Sequence, residues 1–461
     1  MASTYLTNTN PTAGNRTKGT ISVWFKRSGL GSYQHLYTEH YDGNNFGSLR
    51  LNSNDTLGFF SYDSGSAQAD INTNRVFRDT NSWYHVVASW DTTDGTAADR
   101  VKIYINGVRE TSFSGSPTYP SSSQNIYFGV GGTNYPIRVG SISNSAQFFD
   151  GSMSHFHRVD NQALAPTVFG STDSTTGEWK ITASPSITYT GSSDYNFFIL
   201  KDGNSVTDQS GQSNNLTVGG GTLSKTEDNP SNVFATMNPL WRPMNNQTYT
   251  FDAGNTRVYA NSGTDWLRSN ATIGAKTGKW WYEVYLGTGD SENRIGWDSI
   301  DHSNETNQNY YSGLNVQLGN GQVRGGIRGT SSYSPNAVQL PLDGGGNATW
   351  SQGDYLGMGI DLDNQTITIE KNGNALATNF SYAGYSGTSV LKSRGFFIAP
   401  SANWYSGSGN QNIFDFNFGN GKFGTSAQLT GTTYTDSNGL GVFKYQPPTN
   451  YLAWCTKNLN V

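Results

Sequence analysis

Carboxylate side chains, which could cleave a glycosidic bond, are the first candidates for chemistry in this sequence. Hydrolysis requires two carboxyl groups about 5–9.5 Å apart, flanking the scissile bond. Side chains two positions apart on a strand point to the same face, so a pair in one cleft could stand as Glu-x-Asp. Eight Glu occur in the 461 residues, and none is followed two positions later by Asp. A Gly-x-Ser-x-Gly nucleophile motif is also absent. We therefore expect that the protein is not an enzyme.

Two imidazoles stand at a spacing that a metal site on a strand could use. His155 and His157 alternate with Phe156 and would share one face of the strand. Burial of Phe156 in a core would produce the same pattern without a metal. No third His lies nearby in the sequence, which favours the structural interpretation.

Aromatic rings beside amide and carboxylate groups are a third candidate, because a sugar can stack on a ring while its hydroxyls bond to planar polar groups. Each of these aromatic residues could instead pack in a core. A partial stack that buries about 60 Å² contributes only about 1.5 kcal/mol at about 25 cal/mol per Å². One site would then bind weakly, and attachment would need many copies. The predicted ligand-binding residues are Tyr37, Tyr41, Asp42, Asn44, Tyr310, Tyr311, Asn315, Trp404 and Tyr405, with Tyr33, His35 and Asn410 beside them.

Short β-strands are the elements that would position these residues. Aromatic residues make up 13% of the chain and 55 residues are Gly, whereas charged residues make up only 14%. Each strand pattern is β-branched or aromatic and is bounded by Gly, Asn, Asp or Ser. We predict an all-β protein. The clearest strand patterns cover residues 21–25, 84–90, 101–105, 154–159, 280–285, 355–360, 366–370 and 414–418.

One hairpin pattern occurs twice. Two strand patterns close on Asn106-Gly107, and two others close on Asn372-Gly373. Asn-Gly supplies the positive φ angles that a two-residue hairpin turn needs. A shared sandwich architecture would explain the recurrence, and so would coincidence, since two short segments do not establish a duplication.

Charge and cysteine content exclude several classes of partner. The net charge of -5 and the pI near 5.7 argue against a nucleic-acid partner, which needs a basic patch. Cys455 is the single cysteine, so neither an intrachain disulfide nor a thiolate metal cage can form. No apolar run of about 18 residues predicts membrane insertion. The N-terminus lacks the features of a signal peptide, so we expect synthesis in the cytoplasm.

The first region resembles the laminin-G/concanavalin A-like lectin superfamily. Four separated motifs match that family's central hairpin and closing strand in order and spacing. The motifs are Trp83–Asp91, Val101–Gly107, Ile137–Gly140, and Phe149–Gly151 leading into Met153–Val159. The resemblance implies an antiparallel β-sandwich with lectin-like binding. Hydrolases of this superfamily carry Glu-x-Asp-x-x-Glu on one strand, and this sequence lacks that motif.

Calcium is the cofactor that this resemblance implies, because laminin-G-like relatives often hold it on loop carboxylates and carbonyls. The weak candidate ligands are Asp42, Asp55 and Asp150. Asp and Asn also form turns without any metal, so the loops fit either interpretation. Without calcium, we expect no cofactor.

The second region resembles an SPRY domain, which is also a concanavalin A-like sandwich. Its loops on the family's binding face would hold the later group of predicted ligand-binding residues. The motifs that carry the resemblance are Thr277–Val284, Asn293–Trp297, Gly353–Asp363, Lys371–Gly373 and Asn417–Gly419.

The combination of the two regions is similar to virion proteins of marine and cyanobacterial tailed phages. Residues 176–179, 208–211 and 234–239 between the regions, and residues 445–459 at the end, share in this resemblance. The sequence departs from the pattern because it has no recognisable anchor, coiled coil or collagen-like shaft.

We therefore predict two sandwich domains, 1–170 (laminin-G-like) and 248–425 (SPRY-like). They are joined by a connector, 171–247, with one strand that either domain could receive, and followed by a tail, 426–461, packed on the body. The predicted function is that of a bacteriophage virion surface protein, a tail appendage or receptor-binding module that binds host-surface glycan or another surface ligand without catalysis. The alternatives are a capsid-decorating or vertex protein that binds other virion proteins and, third, a polysaccharide hydrolase. We expect a homo-oligomer, a trimer, on the virion surface after release by lysis.

Overall fold

The chain folds into two compact units, each described here by itself. The first comprises Met1–Lys225 with Asn229–Ser231, and the second comprises Thr226–Asp228 with Asn232–Val461. The computed structural model describes residues 3–143, 146–201, 205–240, 249–260, 266–288, 293–299, 314–318, 322–325, 338–339, 349–383, 397–405, 412–426 and 428–459.

Strands account for most of the regular structure of the first unit. Two short 3-10 turns, Ala97–Asp99 and Pro166–Val168, interrupt them. In chain order the strands are β1 (Tyr5–Asn8), β2 (Lys18–Arg27), β3 (Gln34–Asp42), β4 (Asn45–Leu51), β5 (Thr56–Asp63), β6 (Ser66–Val76), β7 (Tyr84–Asp91), β8 (Val101–Ile105), β9 (Val108–Arg109), β10 (Ile137–Val139), β11 (Gly151–Asp160), β12 (Gly170–Thr172), β13 (Trp179–Ile181), β14 (Phe197–Ile199) and β15 (Thr217–Gly220).

The described strands of the first unit form two large antiparallel sheets. Seven strands lie in the order β15-β1-β10-β3-β4-β5-β6, and six lie in the order β14-β11-β2-β7-β8-β9. Strands β12 and β13 pair separately with each other. Alternate side chains of both large sheets point into one shared core. Trp90 lies fully buried in that core, with its ring centroid 5.1 Å from that of Phe128 and the Arg158 guanidinium 4.7 Å from it.

Residues of the predicted connector 171–247 belong to this first unit as far as Lys225. Strand β14 pairs with β11, and β15 pairs with β1. The core of the first unit includes Tyr195, Phe197 and Leu216. Removing these apolar side chains from water stabilises the fold. The strand that the sequence offered to either sandwich therefore lies in the first, and the first unit extends beyond the predicted boundary at residue 170.

The described part of the second unit is also built mainly from strands, with a short helix near its end. In chain order they are β16 (Tyr249–Asp252), β17 (Arg257–Ala260), β18 (Trp266–Asn270), β19 (Lys279–Thr288), β20 (Arg294–Ser299), β21 (Leu314–Gln317), β22 (Gln322–Gly325), β23 (Val338–Gln339), β24 (Tyr355–Asp361), β25 (Thr366–Lys371), β26 (Asn374–Ser381), β27 (Ile398–Tyr405), β28 (Asn412–Asn417), β29 (Leu452–Ala453) and the helix α1 (Thr456–Leu459).

Two sheets enclose the core of the second unit. The described strands of one sheet follow the order β16-β17-β28-β19-β24-β25-β26, with β29 paired in parallel to β19. The other sheet follows the order β18-β27-β20-β21-β22-β23. Trp297 and Tyr282 are fully buried between them, and the Tyr282 hydroxyl donates a hydrogen bond of 2.7 Å to the Gly296 carbonyl. Because this buried hydroxyl has a hydrogen-bond partner, the folded state avoids the desolvation penalty of an unpaired polar group.

The C-terminal segment 426–461 is an integral part of the second unit. Trp454 is fully buried and stacks on Trp280 with ring centroids 4.9 Å apart. The buried Glu283 carboxylate accepts backbone hydrogen bonds of 2.9 Å from Lys444 and 2.8 Å from Tyr445. Burial raises the pKa of Glu283 to about 7. This glutamate therefore attaches the last segment to β19.

The two Asn-Gly turns have the same conformation and the same hydrogen bonds. The φ angles are 47° and 80° at Asn106 and Gly107, and 53° and 77° at Asn372 and Gly373. Each Asn side chain also accepts a backbone hydrogen bond, of 2.8 Å from His85 in the first unit and 2.9 Å in the second. The positive φ angles are those that the sequence predicted for these hairpins.

The prediction of an all-β protein is confirmed, since antiparallel strands dominate both units in the part of the chain that the structure describes. In that same part, no helix has the length and the apolar character needed to cross a membrane.

Replacement of Trp90 by Ala would open a cavity in the core of the first unit. We expect the free energy of unfolding of that unit to fall by about 3–5 kcal/mol. Chemical denaturation followed by circular dichroism measures it. Val108→Ala is the matched control, because Val108 is 67% exposed and should change stability by at most about 0.5 kcal/mol. Equal stabilities for W90A and the wild type would contradict the packing described here.

Candidate functional site

The outward face of the seven-stranded sheet carries a polar and aromatic groove. On β4, β5 and β6 the inward side chains Leu49, Phe59 and Ile71 belong to the core, so the positions between them face outward. The outward residues stand in three rows across the strands: Phe46 with Tyr62; Ser48 with Phe60 and Asp70; and Arg50 with Gly58 and Asn72.

A missing side chain at Gly58 shapes the middle of this groove. A Cβ atom on Gly58 would lie 2.2 Å from Cε2 of Phe60, which means that the Phe60 ring lies across the strand over the glycine. The Arg50 guanidinium lies over the same ring, with Cζ 4.1 Å from its centroid. Cζ of Arg50 also lies 4.9 Å from the ring centroid of Tyr33. Such cation–π contacts hold a guanidinium in a defined plane.

Hydrogen bonds fix the polar groups around this stack. Arg50 Nε donates to Asn52 Oδ1 at 3.0 Å, and Asn52 Nδ2 donates to Asn72 Oδ1 at 2.8 Å. Asn72 Nδ2 and the Tyr62 hydroxyl both donate to the Asp70 carboxylate, at 2.8 and 2.6 Å. Burial, reinforced by this bond to Asp70, raises the pKa of Tyr62 to about 12. The network is thus preorganised before any ligand arrives.

The groove is large enough for more than one sugar ring. Its cavity volume is ≈ 470 Å³, within the usual range of ligand sites. Phe46 and Tyr62 stack at one end with ring centroids 5.1 Å apart, and Tyr33, 43% exposed, stands at the other. The loop residues Ser53, Asn54 and Ser114 complete the rim.

The groove carries side chains that are suited to binding a ligand. Asp70 is the carboxylate among the residues that line it, whereas glycoside hydrolysis uses two. Aromatic faces, amides, hydroxyls and one guanidinium are groups that can stack on a sugar and hydrogen-bond to its substituents.

Tyr37, a predicted ligand-binding residue, is instead part of the core. It is fully buried, and its hydroxyl donates to Glu39 Oε1 at 2.9 Å. Glu39 is itself fully buried and accepts the backbone N–H of Gly129 at 2.6 Å. The prediction fails at this residue because the Tyr37 ring points into the sandwich.

Tyr41, Asp42 and Asn44 lie at the β3–β4 hairpin and do not line the groove. Tyr41 is 52% exposed and contacts Tyr135, with ring centroids 5.6 Å apart. Asp42 Oδ1 accepts hydrogen bonds from the Asn44 backbone at 2.8 Å and from Asn45 Nδ2 at 3.0 Å. These residues shape a turn, while Tyr33, which precedes the other end of β3, lines the groove.

The later group of predicted residues is only partly described. Asn315 is 2% exposed and lies in β21, so burial removes it from a ligand site, contrary to the prediction. Trp404 and Tyr405 end β27, but their side chains lie outside the described residues. Tyr310, Tyr311 and Asn410 lie outside them altogether.

Two of the calcium candidates, Asp55 and Asp150, face a cation that the protein supplies. Asp55 accepts hydrogen bonds of 2.9 Å from Arg27 and 2.9 Å from Arg78. Asp150 also lies within electrostatic reach of the buried Arg27 guanidinium. Asp42 forms the turn just described. Among the described residues, no group of three or more His, Cys, Asp or Glu side chains could hold a metal ion.

His157 of the β11 pair lies in a buried aromatic layer, whereas His155 is half-buried at an irregularity of register. His157 stacks on Phe198 with ring centroids 3.8 Å apart, and its Nδ1 is 2.8 Å from the Tyr189 hydroxyl. His85 on β7 accepts a hydrogen bond of 3.0 Å from Trp179 Nε1, while its Nε2 lies 2.9 Å from Ser22 Oγ. Burial lowers the pKa of His85 to about 3 and that of His157 well below its usual value. These neutral rings hold the segment containing Trp179 and Tyr189 on the sheet.

Most groove residues escaped the sequence analysis, and Arg50, Phe60, Tyr62 and Asp70 are among them. One signal was available, because adjacent Phe59 and Phe60 must point to opposite faces of their strand. One ring of such a pair enters the core and the other must lie outside it. The position of Asp70 gave no comparable signal.

Comparison with known proteins identifies the fold of the first unit. Residues 2–168 match the family model described as the concanavalin A-like lectin/glucanases superfamily. No curated protein matches the chain.

Solved structures similar to this chain include a human SPRY domain, a horseshoe-crab pentraxin and a domain of a bacterial arabinanase. The SPRY domain of human HERC1 is 14% identical, with a TM-score of 0.28, and the match covers 39% of this chain and 96% of that chain. The heptameric SAP-like pentraxin from Limulus polyphemus is 17% identical, with a TM-score of 0.26, and the match covers 35% of this chain and 71% of that chain. Domain 4 of the extracellular arabinanase AbnA from Geobacillus stearothermophilus, in complex with arabinotriose, is 20% identical, with a TM-score of 0.24, and the match covers 34% of this chain and 67% of that chain.

Acid should destabilise the first unit through its buried histidines. The folded-state pKa of His85 lies below the unfolded value of about 6.5, so its stabilising contribution is complete above that pH and declines toward pH 3. At pH 5, one such buried histidine lowers the free energy of unfolding by about 2 kcal/mol. His85→Gln should therefore shrink the difference in unfolding free energy between pH 7 and pH 5 by about that amount. An unchanged difference in this variant would refute the assignment.

Proposed function

We propose that the first unit binds glycan, without catalysis, in the groove on the outward face of its seven-stranded sheet. The observation that carries this proposal is the stack of Tyr33, Arg50 and Phe60 over Gly58, set among hydrogen-bonded amides. Exposed aromatic surface beside fixed polar groups suits a ligand with apolar ring faces and many hydroxyls.

The match of residues 2–168 to a lectin and glucanase superfamily supports the same class of ligand. Its name covers both binding proteins and hydrolases, so the residues of the site must separate the two. Two glutamates that could have been catalytic are engaged elsewhere. Glu39 bonds to Tyr37 and Gly129 in one core, and Glu283 bonds to the backbone of Lys444 and Tyr445. Binding without turnover is the function that these arrangements favour.

Binding at one groove should be weak. Stacking on Tyr33 and on Tyr62 at about 60 Å² each would contribute about 3 kcal/mol in total. Several copies on one particle would raise the overall affinity by about 10²- to 10⁴-fold without new contacts. We therefore infer that the chain acts as a homo-oligomer, a trimer.

We further propose that the protein works on the surface of a tailed phage particle, as a tail appendage or receptor-binding module. The support is the resemblance of the sequence to virion proteins of marine and cyanobacterial phages. The second candidate is a capsid-decorating or vertex protein whose main partners are other virion proteins. Neither role requires nucleic-acid binding, membrane insertion or a cofactor.

Removal of the two accessible rings should abolish glycan retention. On a glycan array, Tyr33→Ala combined with Tyr62→Ala should weaken binding roughly 100-fold, the equivalent of about 3 kcal/mol. Tyr41→Ala is the matched control, since Tyr41 is similarly exposed but lies outside the groove. Incubation with the bound polysaccharide should release no reducing ends. Release that stops on mutation of one Asp or Glu would establish the hydrolase instead.

Antibody labelling of intact particles separates the two virion roles. An antibody against the second unit should mark the tail or its appendages in electron micrographs. Labels distributed over the capsid or at its vertices would support the decoration role. If the antibody has access to the whole particle and labels none of it, the proposal that the protein lies on the virion surface is wrong.

A further inference from the structure

Arg50 carries a positive charge into the groove without a matching carboxylate contact. Its side chain is half-buried, and its guanidinium is flanked by Phe60 and Tyr33. Its hydrogen bond goes from Nε to Asn52. Within the described part of the chain, Nη1 and Nη2 have no hydrogen-bond partner and no carboxylate forms an ion pair with them.

The nearby acid does not neutralise Arg50 by contact. Asp70 lies within electrostatic reach of Arg50, but its carboxylate is engaged by the Tyr62 hydroxyl and by Asn72 Nδ2. A half-buried cation without a contacting anion is electrostatically costly, and burial lowers the pKa of Arg50. A ligand that brings an anion would relieve this cost.

The shape of the free guanidinium edge suits one kind of anion. Stacking on Phe60 and the bond from Nε to Asn52 fix the plane of the group. Two parallel N–H donors in a fixed plane match the two oxygens of a planar carboxylate.

We propose that the glycan bound in this groove is acidic and carries a carboxylate, as uronic acids do, which pairs with Nη1 and Nη2 of Arg50. This inference rests on the proposed function, because it names the class of sugar that the same groove selects. The aromatic surfaces bind the sugar rings, and Arg50 selects the charged ones.

Matched pairs of oligosaccharides test this selection with the full-length protein. The probes are tetramers of galacturonate, glucuronate and mannuronate, and sialyllactose, each beside its carboxyl-reduced counterpart. We expect at least one carboxylated member to bind about tenfold or more tightly than its reduced partner. R50Q should lose this discrimination, so that its affinities for the acidic sugar and for the reduced sugar become equal, and R50K should keep part of it.

A second variant controls for the loss of one positive charge. Arg109→Gln removes an arginine that is paired with Asp99 at 2.7 Å and lies outside the groove, so R109Q should discriminate as the wild type does. Thermal unfolding of each variant shows that it is folded.

Three outcomes would overturn the inference. Equal affinities for acidic and reduced sugars, or discrimination that survives in R50Q, would refute the role of Arg50 while leaving glycan binding intact. Equal binding of sulfated and carboxylated forms of one backbone would refute the choice of carboxylate. Failure to bind any sugar, charged or neutral, would refute the proposed function as well.

Discussion

Alternation of side chains along β4, β5 and β6 is the constraint on which the proposed site depends. Successive residues of a strand face opposite sides of a sheet. The same strands that bury Leu49, Phe59 and Ile71 in the sandwich must therefore present Arg50, Phe60 and Asp70 on the other side. Core and groove are two faces of one register, and a slip by one residue would exchange them. The stability of the fold thus fixes the geometry of the binding surface.

Elsewhere the chain covers its sheets with aromatic side chains. A Cβ on Gly107 would lie 2.4 Å from the Trp179 ring, and a Cβ on Gly373 would lie 2.4 Å from the Tyr445 ring. In each unit, an aromatic residue from a later segment thus sits on an Asn-Gly turn. In the first unit, neutral histidines bind the segment that contains Trp179. In the second unit, Glu283 binds the segment that contains Tyr445. The groove differs because Tyr33 at its edge remains exposed, although Phe60 in its middle is buried.

Local chemistry explains which features could be predicted from the sequence. The strands and the two Asn-Gly turns follow from residue type and alternation, and both are confirmed. The site was harder to predict, because an aromatic residue in a strand fits a core position and a binding surface equally well. Tyr37 lies next to an irregularity of register between His35 and Tyr37, so simple alternation does not give its direction. The position of Arg50 in the groove depends on its neighbours on other strands, and no local sequence pattern reveals those neighbours.

Hydroxyl-radical footprinting with a bound polysaccharide tests the location of the site most directly. Tyr33 and Tyr41 have similar exposures, 43% and 52%, so each reports on one surface of the first unit. If the groove binds glycan, the ligand should protect Tyr33 and Tyr62 from oxidation and leave Tyr41 unchanged. Protection confined to Tyr41, or to the second unit, would contradict the assignment of glycan binding to this groove.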